Sequence, residues 1–125
     1  MDKKLCLDTD ICIDILKNNA RIHKLLEILE NEQIYISSIT MFELLLRKTN
    51  LEAVEKLFDT VGILYFDDKA ARIASEIYKD LSEQGKVIEI RNIFIAACTI
   101  VNNCNLITFN KKDFLKIKGL KLFNF

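Results

Sequence analysis

Four stretches of this chain place an oxygen-bearing side chain at the edge of an apolar run. Asp8 directly follows Leu5-Cys6-Leu7, and Glu43 lies among Ile39, Met41, Phe42, Leu44, Leu45 and Leu46. Asn92 opens the apolar stretch Ile93–Val101, and Asp113 follows Asn105–Thr108 with Asn110 between them. Carboxylate and amide oxygens gathered at one crevice suit a hard divalent cation such as Mg2+ or Mn2+. Such an ion orients and deprotonates a water for attack on phosphorus and neutralises charge on the leaving oxygen.

Each residue also has a plainer role. Aspartate is a good helix N-cap, but Thr9 or Asp10 fills that role equally well and leaves Asp8 to face the crevice. Thr40 and Glu43 have the T-x-x-E spacing of a capping box. A carboxylate on so apolar a face nevertheless costs several kcal/mol, roughly, unless it is paired or metal-bound. Asn92 suits a helix N-terminus as a cap. Asp113 reads equally well as a solvated acid opening a short helix.

The elements that must position these groups alternate. Apolar or β-branched runs at Leu5–Leu7, Ile34–Ile36, Ile63–Phe66 and Asn105–Thr108 read as strands, with a weaker one near residues 120–125. Ile22, Leu25, Leu26 and Leu29 share one helical face. Further helices are expected after Asp8, from about Met41 to Lys48, Leu51 to Val61, Ala70 to Glu83 and Ile93 to Val101, with a short turn at Lys111–Leu115. Strands separated by helices imply an α/β fold, a parallel sheet with helices on both faces. Ligands of such sheets bind beyond the carboxyl ends of the strands, where Asp8, Asn110 and Asp113 are expected.

The 125 residues suffice for one domain, 1–125, and one core. Proline is absent and glycine occurs 3 times, so no flexible linker is visible. No apolar run approaches the ~20 residues that span a bilayer, and MDKKLCLDTD is not a signal peptide. A cytoplasmic location, away from membranes, is expected. Lys+Arg and Asp+Glu stand at 18 each, so contact with nucleic acid must rely on local clusters such as Arg47-Lys48, Lys111-Lys112 and Lys116/Lys118/Lys121. Cys6, Cys12, Cys98 and Cys104 lack zinc-site spacing, and the single histidine, His23, lies apart; they read as structural free thiols.

Taken together, LCLDTDICIDIL, ISSITMFELL and IRNIFIAACTIVNNCNLITFNKKDF resemble the PIN-domain family, and within it the VapC-like toxins. The likeness covers essentially the whole chain: an opening strand, acid and helix, then a strand, Ser/Thr and glutamate. Its closing stretch has a polar residue three before Ile-Ala-Ala, a strand, and a Thr-x-Asn-x-x-Asp-Phe turn. The resemblance implies a three-layer α/β/α sandwich and Mg2+- or Mn2+-dependent cleavage of structured RNA, tRNA included. It also implies a homodimer, with the apolar helices from Ala20 to Val61 as a surface for it, and a small cognate antitoxin covering the site. Carried over by position, the ligand cluster is Asp8, Glu43, Asn92 and Asp113, supported by Thr9, Thr108 and Asn110. The family pattern has aspartate at position 92. Asn92 keeps a carbonyl oxygen but loses a charge, which implies weakened metal binding and impaired cleavage. Two origins fit: a change introduced to disarm a toxic enzyme, or a naturally impaired member that binds RNA or antitoxin without cutting.

Two other phosphate chemistries share the pattern. A haloacid-dehalogenase-type phosphatase would use Asp8 as nucleophile and Asp10 as acid/base, with Lys111 in support. A receiver domain would use Asp67 or Asp68 as phosphoacceptor.

Overall fold

The computed structural model describes residues 3–125. Five strands, β1 (Lys4–Leu7), β2 (Gln33–Ser37), β3 (Gly62–Leu64), β4 (Asn105–Ile107) and β5 (Lys121–Leu122), form one sheet in the order β3-β2-β1-β4-β5, every pair parallel. Seven helices connect them: α1 (Thr9–Lys17), α2 (Ala20–Leu29), α3 (Ser38–Leu45), α4 (Leu51–Thr60), α5 (Asp68–Glu83), α6 (Ile90–Val101) and α7 (Lys111–Phe114).

The strand alternation sorts the core into two halves. Leu5, Leu7, Ile36 and Ile107 face α1 to α4, packing with Ile11, Ile22, Leu25, Leu44 and Val54. Cys6 and Leu106 face the other way, toward Ala70, Ala74 and Ile77 of α5 and Ile93, Ala96 and Ala97 of α6. The expected three-layer α/β/α architecture is thus the observed one. Small residues on α5 and α6 let these two helices pack closely beneath the sheet. One glycine is sterically required: a Cβ on Gly62 would lie 2.5 Å from Cδ1 of Tyr35, its register partner on β2.

Several boundaries differ from the sequence reading. The helix expected at Met41–Lys48 spans Ser38–Leu45, because Ser37, the last residue of β2, caps it: its hydroxyl accepts from the Thr40 amide at 3.1 Å. The Thr40–Glu43 capping box does not form. The helix expected from Ile93 begins at Ile90, so Asn92 is its third residue and not its cap; Glu89 holds the cap position. β3 stops at Leu64, since the Phe66 amide donates to Ser38 Oγ at 3.0 Å and Tyr65 turns outward. All four cysteines are free and buried, as expected. Among the described residues, no helix is long and apolar enough to cross a membrane.

Candidate functional site

β1 ends on Leu7, and Asp8 turns the chain into α1. The expectation that Thr9 or Asp10 would cap this helix is wrong. Asp8 is itself the cap, its Oδ1 accepting from the Thr9 amide at 2.9 Å. Its second oxygen accepts from the Thr108 hydroxyl at 2.7 Å, a bond between residues 100 apart in sequence. Asp8 is only 4% exposed. Burial pushes its carboxyl from 3.8 up to about 6, against the stabilising Thr108 bond, with Asp10 adding repulsion.

Glu43 reaches the same place from the middle of α3. The Thr9 hydroxyl donates to its Oε1 at 2.7 Å, and Thr9 and Thr40 hydroxyls lie 3.0 Å apart. Arg91 closes the other side, 3.1 Å from Glu43 Oε2 and 2.8 Å from Glu89 Oε2. Beyond β4, the Thr108 hydroxyl accepts from the Asn110 amide at 2.9 Å, and Asn110 Nδ2 donates to Asp113 Oδ2 at 3.2 Å. Lys116 stands 3.4 Å from Asp113. Thr108 therefore supports Asp8 from behind, while Asn110 steadies Asp113.

These segments meet in one polar pocket of about 300 Å3 at the carboxyl ends of the strands. Asp8, Thr9, Glu43, Asn92, Asn110 and Asp113 all line it. Three residues outside the expected ligand cluster join them: Glu89 and Arg91, which sequence reasoning left out of the site, and Asp10, which it had read as a cap or as the acid/base of a phosphatase. All three are exposed charges at helix starts, Glu89 at the cap of α6 and Asp10 and Arg91 in first turns. Five carboxylates and one guanidinium make the pocket strongly acidic. Neither Lys111 nor Asp67 nor Asp68 lines it. Asp67 instead caps α5, accepting from the Ala70 amide at 3.0 Å. This arrangement matches neither the phosphatase nor the receiver reading.

The donor set fits a hard cation: oxygens only, with a buried carboxyl at Asp8 that no basic group contacts. It is not a ready-made cage, for among the described residues no three His, Cys, Asp or Glu side chains stand close enough to hold an ion. Glu43 is instead engaged by Arg91, and position 92 contributes an uncharged amide.

An α/β/α domain with acids clustered beyond the ends of parallel strands defines the class of this protein. This chain belongs to the PIN domain family, whose model matches residues 5–120. It is 31% identical over 126 residues to the ribonuclease VapC1 of Methanocaldococcus jannaschii, covering 98% of this chain and 89% of the relative. It is 27% identical over 125 residues to the tRNA(fMet)-specific endonuclease VapC of Shigella flexneri, covering 94% and 95% of the two. A chain of the DNA-bound VapBC structure from Salmonella typhimurium superposes with a TM-score of 0.86 at 27% identity, over 98% of both chains.

Proposed function

We propose that this chain has the architecture of an endoribonuclease, the toxin half of a VapBC-type pair. In it, Asp8, Glu43, Asp113 and the group at position 92 hold Mg2+ or Mn2+. The observation that carries this reading is the meeting of those four positions, from four distant segments, in one acidic pocket. A relative named for tRNA(fMet) makes tRNA the first substrate to try, and the VapBC complex makes a cognate antitoxin the expected partner. A homodimer remains part of this proposal.

The cation, when bound, would supply water activation and charge neutralisation at the scissile phosphate. The chain's own residues do the positioning. Thr108 and the Thr9 amide fix both oxygens of Asp8, Thr9 orients Glu43, and Asn110 orients Asp113. Asn92 leaves the cluster one charge short, so this chain binds the ion weakly and cuts little.

Substituting Asn92→Asp tests the reading. Mn2+ affinity should rise at least tenfold by titration, and Mg2+-dependent cleavage of tRNA should appear in the same variant. Adding Asp8→Ala should abolish both. If Asn92→Asp binds Mn2+ no better and leaves tRNA and other structured RNAs intact, the nuclease reading fails. The binding-module alternative, favoured only by Asn92 itself, then stands.

A further inference from the structure

The charge of the molecule changes sign at the opposite end of the strands. Lys3, Lys4, Asn103, Asn105 and Lys121 surround a polar hollow of about 270 Å3. Lys4 opens β1, Asn105 opens β4 and Lys121 opens β5, and the parallel register sets Asn105 beside both Leu5 and Lys121. Among the described residues no carboxylate lines this hollow. Among the described residues none of its three lysines makes an ion pair. Clustered ammonium groups repel one another, and a shared anion relieves that repulsion.

A line of rings leads away from the hollow. Lys3 Nζ lies 5.8 Å from the Phe123 ring centroid, and Phe123 stacks with Phe125 at 6.4 Å and 19°. Phe125 meets Phe109 edge-on at 5.7 Å, with Lys111 Nζ 4.6 Å from the Phe125 centroid and Arg21 4.1 Å from that of Phe109. Phe109 directly precedes Asn110, which lines the acidic pocket. Phe125 is 42% exposed, and β5 is the last strand of the sheet on this side.

We propose that this edge is a track for single-stranded RNA, with Lys4 and Lys121 gripping backbone phosphates and Phe125, braced by the half-buried Phe109 and Phe123, offering a stacking face. The inference rests on the ribonuclease reading and adds to it the surface that holds the substrate. Cations interleaved with aromatic rings bind nucleic acid without reading its sequence. The acidic pocket itself repels phosphates, so the grip must come from elsewhere on a chain of zero net charge. Asp8 lies four residues beyond Lys4, about 13 Å at ~3.3 Å per strand residue, so one strand of RNA can reach from the hollow to the pocket.

The test measures binding of a fluorescein-labelled synthetic RNA hairpin with a single-stranded tail by anisotropy, over a series of salt concentrations. The chain with Asn92 is used so that the probe survives. The double variant Lys4→Glu, Lys121→Glu should weaken binding at least tenfold near 0.15 M salt and lower the slope of log Kd on log salt by about 1.4. Phe125→Ala should weaken it about fivefold with the slope unchanged. Lys4→Arg with Lys121→Arg, and Lys56→Glu on α4, should bind as the parent does. Unchanged affinity in either the double reversal or Phe125→Ala overturns the track. If Asn92→Asp still cuts RNA in that event, only the track is lost. If the parent binds no RNA and Asn92→Asp cuts none, both readings fall together.

Discussion

A buried carboxyl held at about 6 must be costly to keep ionised at neutral pH, and Asp8 shows where that cost lands. Its folded value stands above the 3.8 of the unfolded chain, so the folded state binds the extra proton between about pH 4 and 6. Stability is therefore highest below that window and falls as pH rises through it, by about 3 kcal/mol in all. Asp8→Asn keeps an oxygen for the Thr9 amide and removes the charge. In urea denaturation it should be about 1–3 kcal/mol more stable than the parent near pH 7.5, and the two should converge near pH 4. A variant that is no more stable at pH 7.5 would mean Asp8 carries no such penalty. The acids at strand ends were legible because each interrupts an apolar run. Glu89 and Arg91 were not, since exposed charges at helix starts look like solvated surface in any sequence. The dual role of Asp8 was hidden for another reason: capping and facing a pocket look exclusive in sequence, yet the two carboxylate oxygens divide the tasks.

The helices that carry the site owe their placement to their first turns. α3 brings Thr40 and Glu43 to Thr9 only because it starts immediately after β2, on the Ser37 cap. Ser37→Ala leaves the Thr40 amide without its partner inside a fully buried turn, and should cost about 1–2 kcal/mol in a thermal or urea melt. It should also lower the metal affinity of an Asn92→Asp background, because Glu43 rides on the same helix. Order and type of the elements could be read from periodicity, while their ends could not. The three-residue shift of α3 arose because Ile39 and Met41 fit a helix equally well as first or second turn, so only the serine's hydrogen bond decides. At β3, Tyr65 and Phe66 have strand-forming side chains, but the Phe66 amide is taken by Ser38 and the ladder stops. Asn92 was placed as a cap for a similar reason: Arg91 and Asn92 separate Ile90 from the apolar run, so the helix looked as if it began at Ile93.

Across the whole molecule, the thiols are sealed in the core on both faces of the central sheet. Cys6 and Cys98 are pushed up to about 12 by burial, and burial likewise raises Cys12 and Cys104. Thiolate is the reactive form, so the folded protein should show essentially no labelling by an aromatic disulfide reagent at pH 8, and four thiols per chain once denatured. Fast labelling of the native protein would contradict the closed core. The three-layer arrangement was fully expected from the alternation of strands and helices. The polarity of the molecule, acidic at one end of the strands and basic at the other, was not, because lysines scattered at positions 3, 4 and 121 come together only through the parallel register.

That register has a consequence for how the protein comes into being. β1 is made first yet lies between β2 and β4, and the bond from Thr108 to Asp8 closes a loop of nearly the entire chain. Long loops of this kind close slowly and late in folding. During synthesis, a nascent chain shorter than about Asp113 lacks a wall of the acidic pocket however well its early helices have formed. The acidic pocket is thus completed only after the fourth strand and α7 have been made.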